Sequence, residues 1–165
     1  MKVIQGNPKA KKPINKTTLK SEALTLWSLC VRKINPRCQM CGSIDRLQAH
    51  HIRSVRRIST MLDLDNGMTL CFPCHSLQHF NPELFHDRVI DVIGIDAYQL
   101  LRDRSSIILK LHANDYRDRI NSLKKELSGE AGILPSDGIK RRIGAGERPV
   151  CSPAPGDNDD SSIPK

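Results

Sequence analysis

The side chains of this chain best suited to chemistry are cysteines and histidines concentrated between residues 38 and 79. Two Cys-x-x-Cys pairs frame that stretch, formed by Cys38 with Cys41 and by Cys71 with Cys74. Zinc in structural sites prefers a tetrahedron of four soft ligands. The paired spacing therefore predicts one structural Zn²⁺ bound by all four thiolates, with disulfides as the alternative.

Four histidines lie where such a zinc site would bring them together. His50 and His51 form a doublet between the two cysteine pairs, and His75 directly follows the second pair. The segment Leu47–Ile52 is the best strand candidate, and its alternation places His50 and His51 on opposite faces. His79 comes four residues after His75, which puts both on one side of a predicted helix. The alternatives are His50 as a ligand of the structural zinc and His79 as an ordinary exposed residue.

Apolar residues at helical spacing predict the elements that position this stretch. A helix from Thr18 to about Lys33 precedes it, with an inner face of Leu24, Trp27, Val31 and Ile34. Residues 63–67 read as a turn, and 68–70 as a second short strand. Residues 81–83 are typical of a helix cap, followed by inner-face residues Leu84, Phe85, Val89, Ile90 and Ile93 and a final Gly94. Further helices are predicted over 96–104 and 114–127, and Trp27 and Cys30 are predicted to be buried.

The last of these helices carries an apolar stripe of Tyr116, Ile120, Leu123 and Leu127. The stripe would pack on the same domain or, alternatively, form the seam of a homodimer. The expected organisation is a flexible basic arm over residues 1–16, a domain over 17–127 with its core at 38–79, and a disordered tail over 128–165. The tail includes the unpaired Cys151 and the basic cluster at residues 140–142.

The charge of the chain indicates a polyanionic partner. Residues 1–127 carry 21 of the 26 basic residues and 12 of the 18 acidic residues, so the excess is concentrated in the predicted domain. A basic domain of this kind most simply binds nucleic acid. The chain shows no apolar run long enough for a membrane span and no apolar core of a signal peptide, so we expect it in the cytosol. In that reducing compartment the cysteine pairs favour metal over disulfides.

The order of these residues resembles the HNH endonuclease family. The resemblance covers about residues 38–79 and consists of the His50-His51 doublet, Asn66 in the returning loop and His75 opening the helix, framed by the cysteine pairs. The flanking segments are similar, more distantly, to the phage recombination nucleases called NinG, in the helix before the first cysteine pair, the stretch from Val89 to Ala97 and the charged final helix.

The HNH resemblance implies an α+β fold with a small ββα-metal core, here stabilised by the four-cysteine zinc site and flanked by α-helices. It implies that His51 is the general base, with one ring nitrogen held by a carbonyl. His50 and His75 would bind a catalytic divalent metal, with His79 as a third ligand. Asn66 would hold the ribbon in shape. Imidazole ligands favour Mn²⁺ or Ni²⁺ over Mg²⁺.

The expected function is metal-dependent hydrolysis of DNA phosphodiester bonds, by a protein encoded by a phage or mobile element and acting in the bacterial cytoplasm. Arg53, Arg56 and Arg57 follow the predicted strand and would contact DNA phosphates, with a solvated basic loop as the alternative. The NinG-like resemblance favours branched recombination intermediates as substrates, and the HNH resemblance favours nicking or duplex cleavage. The competing interpretation of the whole chain is a zinc-stabilised DNA-binding module without catalysis.

Overall fold

The computed structural model describes residues 15–129, which form five helices and one two-stranded sheet. In chain order the elements are α1 (Lys16–Ile34), β1 (Gln48–His51), a 3₁₀ turn (Leu64–Asn66), β2 (Gly67–Leu70), α2 (Phe72–Phe80), α3 (Pro82–Ile93), α4 (Ile95–Ser106) and α5 (Ala113–Ser128). The strands pair antiparallel, with Gln48 opposite Leu70 and His51 opposite Gly67. This hairpin followed by α2 confirms the predicted α+β class with flanking helices. None of the described helices has the length and apolar character needed to cross a membrane.

The predicted arm and tail fall almost entirely outside the described residues. The exceptions are residues 15–16 and 128–129, which belong to the ends of α1 and α5. The sequence suggested that this helix is capped at Thr18, but the residue that caps α1 is Asn15. Asn15 has an extended backbone, and its side-chain oxygen accepts a hydrogen bond of 2.8 Å from the Thr18 backbone N–H. Helix α1 therefore begins earlier than predicted.

Helix α5 packs against α1 to form the first of two apolar clusters. Its residues Tyr116, Ile120 and Leu123 are buried within this chain, and the Cys30 thiol on α1 donates to the Leu123 carbonyl at 3.4 Å. The stripe on α5 thus packs on the same domain, which confirms the first of the two alternatives; because α1 covers that face, the alternative of a homodimer seam through it does not hold. Ile34, predicted on the inner face of α1, is 37 % exposed because it is the last residue of that helix.

The second cluster joins the cysteine turns, β2 and α3. Asn81 caps α3 by accepting a hydrogen bond from the Leu84 backbone N–H, as predicted. Phe85 and Val89 are buried on the inner face of α3, whereas Leu84 is 39 % exposed, contrary to the prediction. Position 84 lies in the first turn of α3, three residues after the cap. Gly94 ends α3 with a φ of 85°, a conformation that glycine adopts without strain.

Strand β2 is pressed directly against α1 at Gly67. A Cβ added at this position would lie 2.2 Å from Val31 Cγ2 and 3.1 Å from Trp27 Cζ2. Only a residue without a side chain allows this approach, which brings the hairpin, and with it His51, against the indole of Trp27. Helix α4 adds a further restraint, since Arg104 forms ion pairs of 3.2 Å with Asp63 and 3.5 Å with Asp65 beside the 3₁₀ turn.

Candidate active site and zinc centre

The four cysteines come together as the sequence predicted. Their sulfur atoms all lie within 4.8 Å of one another, and among the described residues they form the one group of cysteine, histidine or carboxylate ligands suited to a metal ion. The first turn is closed by a 2.8 Å hydrogen bond from the Gly42 N–H to the Cys38 carbonyl. The second pair lies at the start of α2, where Cys71 is the N-terminal cap. This cluster of soft donors fits a structural Zn²⁺, and it excludes His50 from that set.

The electrostatics of the cluster also suit a metal cation. Hydrogen bonding from Cys74 is the largest cause that lowers the pKa of Cys38, to about 4, and backbone N–H groups of the turns contribute further. Metal binding requires the deprotonated thiolate, so a depressed pKa favours the binding form. The cluster joins the turn before β1 to the start of α2 and thereby fixes the relative placement of the two elements that carry the histidines.

His50 points from β1 towards α2 and α3. Its ring lies 4.9 Å from the ring of His75 and 5.1 Å from that of Phe85, both in edge-to-face orientation. Burial is the main cause that lowers the pKa of His50 to about 4, with the neighbouring histidines adding to it. The imidazole is therefore neutral at pH 7 and has a lone pair available for a metal ion.

His75 is oriented by Gln48, a residue to which the sequence analysis gave no role. The Nδ1–H of His75 donates to the Gln48 side-chain oxygen. Because an amide oxygen only accepts, this contact places the proton on Nδ1 and leaves the Nε2 lone pair free. Gln48 precedes His50 by two positions on β1, so alternation places both side chains on the same face. The two-residue spacing of Gln48 and His50 was the signal in the sequence for this contact. It could be used only with the knowledge that α2 packs on that face of β1.

His51 lies on the other face of β1, as predicted. Its ring stacks on the indole of Trp27 with centroids 3.7 Å apart and planes at 10°. Its Nε2–H donates to the Met61 carbonyl at 2.9 Å, which leaves Nδ1 with a lone pair. Trp27 is itself fixed by a 2.9 Å hydrogen bond from its Nε1–H to the Asp63 carbonyl. The expectation that a carbonyl holds one ring nitrogen is confirmed, and burial lowers the pKa of His51.

Asn66 holds the loop between the strands from inside. The residue is fully buried, and its side-chain oxygen accepts from the Arg53 backbone N–H at 2.6 Å. Its amide group donates to the carbonyls of Arg53 at 3.0 Å and Thr60 at 2.9 Å. These three hydrogen bonds agree with the expectation that Asn66 holds the ribbon in shape. It fixes the segment that ends at Met61, the residue whose carbonyl binds His51.

The histidines share one cleft of about 590 Å³ between the hairpin, α2 and α3. His50, His51, His75 and His79 all line it, and Tyr98 on α4 closes one side. His79 is exposed, and its Nε2 lies 3.4 Å from the side-chain nitrogen of Gln78. The structure thus brings all four histidines to one cleft, but within residues 15–129 it gathers only the cysteines into a compact ligand group.

The three arginines after β1 differ in their surroundings. Arg56 and Arg57 are exposed on the loop. Arg53 is half-buried, and its guanidinium donates to the Tyr98 hydroxyl at 3.1 Å and the Ser105 hydroxyl at 3.2 Å. No spacing in the sequence links Arg53 to α4, so these contacts could not have been predicted from it.

The comparisons with known proteins identify the class of domain to which this site belongs. The family model described as HNH endonuclease matches residues 38–81, which span the first cysteine turn, the hairpin and α2. Neither the curated proteins nor the solved structures provide a match to the chain.

This segment of the chain is an HNH endonuclease domain, and proteins of that family are generally nucleases. Its boundaries agree closely with the resemblance seen in the sequence. Helices α1, α3, α4 and α5 lie outside the matched residues.

Proposed function

We propose that this protein is a metal-dependent endonuclease that hydrolyses DNA phosphodiester bonds, with His51 as the general base. The observation that carries the proposal is the environment of His51. Its ring is clamped between the Trp27 indole and the Met61 carbonyl, which fixes the tautomer with a lone pair on Nδ1. A neutral imidazole held in one orientation at a cleft is the arrangement that general-base catalysis needs.

The donor chemistry of the opposite side of β1 fits a divalent metal ion. His50 and His75 present neutral imidazoles 4.9 Å apart, and Gln48 fixes the tautomer of His75. His79 would complete the set after a change in its side-chain rotamer, since it shares the cleft. A metal bound there would supply Lewis-acid stabilisation of the charge that develops on the scissile phosphate. An imidazole-rich set favours Mn²⁺ or Ni²⁺, with Mg²⁺ weaker.

The residues of the chain divide the reaction between them. His51 Nδ1 accepts a proton from the attacking water as the water oxygen bonds to phosphorus. The bond from phosphorus to the 3′-oxygen breaks, and that oxygen takes a proton from solvent, leaving a 5′-phosphate and a 3′-hydroxyl. Asn66 has a positioning role, because it holds the loop on which the Met61 carbonyl depends. Arg53, Arg56 and Arg57 would contact the DNA phosphates beside the cleft.

The test is nicking of a supercoiled plasmid by the wild type and by His51→Ala, in Mn²⁺, Ni²⁺, Mg²⁺ or chelator, with bound zinc measured in both. Loss of a general base typically reduces the rate by about 10²-fold to 10⁴-fold. We expect that loss with unchanged zinc content. His86→Ala is the matched control, since it removes another histidine of the cleft that has no proposed role.

Two results would count against the proposal. Nicking by His51→Ala at the wild-type rate would refute the assignment of the base. A wild type that binds plasmid but cuts neither it nor a branched DNA with any of the metals would favour the non-catalytic, zinc-stabilised DNA-binding module.

A further inference from the structure

Arg53 is a cation held in place by neutral groups. Its Nε–H donates to the Ser105 hydroxyl and its Nη1–H to the Tyr98 hydroxyl, and both acceptors belong to α4. Its guanidinium carbon also lies 5.9 Å from the centre of the Tyr98 ring. Among the ion pairs of residues 15–129, none joins Arg53 to a carboxylate. The guanidinium is therefore oriented, and no carboxylate in the described part of the chain compensates its charge.

Arg104 shows what a structural arginine looks like in the same region. Two carboxylates, those of Asp63 and Asp65, neutralise it against the 3₁₀ turn. An arginine that only ties the loop to α4 would be expected to have such a partner, since a half-buried charge is costly without one. Arg53 instead keeps its remaining N–H donors for another acceptor, and a guanidinium fork matches the oxygens of a phosphate.

The location of Arg53 relates this charge to the cleft. Its neighbours Ile52 and Ser54 line the cleft that holds the histidines, and so does Tyr98. The backbone of Arg53 is fixed at both its N–H and its carbonyl by Asn66. The main chain and the side chain are thus both restrained before any ligand binds, which reduces the entropy lost on binding.

We propose that Arg53 is a preorganised binding site for a DNA backbone phosphate at the rim of the cleft, and that Tyr98 and Ser105 are the positioning residues that aim it. This inference deepens the proposed function and rests on it for the identity of the polyanion. It makes α4, which lies outside the residues matched by the HNH model, a functional part of the DNA-binding surface.

The experiment is a titration of fluorescently labelled duplex DNA with the zinc-loaded protein, without added catalytic metal, from about 50 to about 200 mM salt. Loss of one phosphate contact lowers the slope of log affinity against log salt by about 0.9. Arg53→Gln should show that reduced slope together with weaker binding.

Other variants keep the positive charge at position 53 but remove the contacts that orient it. They show separately what the charge and its orientation contribute to DNA binding. Tyr98→Phe combined with Ser105→Ala, and separately Arg53→Lys, should keep the slope close to that of the wild type and weaken binding by roughly threefold to tenfold. Arg102→Gln is the matched control, because it removes an exposed cation of α4 whose one ion pair within residues 15–129 is with the adjacent Asp103. Thermal unfolding of each variant shows whether it remains folded at the assay temperature.

Three outcomes distinguish the binding role of Arg53, the positioning role of α4 and the proposed hydrolysis. If Arg53→Gln binds DNA with the slope and affinity of the wild type, or changes both no more than Arg102→Gln does, Arg53 is a structural tie and the inference is overturned. If the Tyr98 and Ser105 double variant binds like the wild type while Arg53→Gln does not, the positioning role of α4 is overturned. DNA binding that depends on Arg53 in a protein that never cuts would refute the proposed hydrolysis and leave this inference standing.

Discussion

Replacing Asn66 by alanine should destabilise the protein severely, because three backbone groups depend on this one buried side chain. The partly buried N–H and carbonyl of Arg53 would lose this partner, and the buried Thr60 carbonyl would keep only its 3.1 Å hydrogen bond from the Asp63 N–H. Each of the three lost hydrogen bonds contributes about 1 kcal/mol net, and the two Arg53 groups left without a partner cost up to about 1 kcal/mol more each where water does not reach them. Asn66→Ala should therefore lower the free energy of unfolding by about 3–5 kcal/mol.

The assay is urea and thermal unfolding of the zinc-loaded protein, followed by circular dichroism. For a domain of this size the expected loss corresponds to a fall in Tm of about 10–20 °C. Asn66→Asp should be at least as damaging, since its carboxylate keeps an acceptor for the Arg53 N–H but faces two carbonyls without a donor. Asn121→Ala on α5 is the matched control, an exposed asparagine whose replacement should shift the free energy by less than about 0.5 kcal/mol.

The result that would refute this reasoning is an Asn66→Ala protein as stable as the Asn121→Ala control. The stability of the loop would then not depend on the hydrogen bonds of the buried Asn66 side chain. A stable Asn66→Ala protein that had nevertheless lost nicking would instead show that Asn66 acts in the chemistry itself, and not through the loop that presents the Met61 carbonyl to His51.

Three further perturbations test separate parts of the structure. Gln48→Leu removes the acceptor of the His75 Nδ1–H and should weaken divalent-metal binding to the cleft by about 10-fold to 100-fold, measured by calorimetry on the zinc-loaded protein. Cys38→Ser should reduce bound zinc from about one per chain and lower the unfolding temperature, measured by elemental analysis and thermal melts. Gly67→Ala places a methyl group 2.2 Å from Val31 Cγ2 and should cost about 1–3 kcal/mol of stability in urea unfolding.

Each of these has its own control. Gln48→Glu retains an acceptor and should recover metal binding; if Gln48→Leu binds metal as the wild type does, the orienting contact is unimportant. Cys151→Ser changes a cysteine outside the two pairs and should leave zinc content unchanged, so equal zinc in Cys38→Ser would contradict a four-thiolate site. The control for Gly67→Ala is the double variant with Val31→Ala, which should recover part of the lost stability because it removes the clashing atom. If Gly67→Ala alone were as stable as the wild type, α1 would be able to move away from the added methyl group without loss of stability.

The parts of the site that could be predicted from the sequence are those governed by local spacing. The two Cys-x-x-Cys turns, the opposite faces of His50 and His51, and the Asn81 cap of α3 all depend on periodicities of a few residues. The contact of Trp27 with His51 joins residues of α1 and β1, and that of Gln48 with His75 joins β1 and α2. Such contacts depend on how elements pack, which no local pattern encodes.

The alternative left open for α5 and the errors at three helix-end positions have the same origin. The stripe on α5 was equally suited to an internal partner or a second chain, and only the observed packing of α1 decides between them. Leu84 and Ile34 have the spacing of inner-face residues but lie at helix ends, beyond the reach of the surfaces that bury their neighbours. Thr18 and Asn15 are both good caps by type, and the longer helix satisfies more backbone hydrogen bonds.

The stacking of Trp27 on His51 also gives the protein a built-in optical reporter. Trp27 is the only tryptophan in the chain, so the whole indole emission originates from a ring 3.7 Å from the proposed base. In most proteins intrinsic fluorescence averages over several distant environments. Here any event that moves the His51 ring, whether occupation of the cleft by DNA or release of the Met61 carbonyl, would change the quantum yield of a single fluorophore. Stopped-flow fluorescence of the unlabelled wild type could therefore time the arrival of substrate at the base separately from the cutting of the strand.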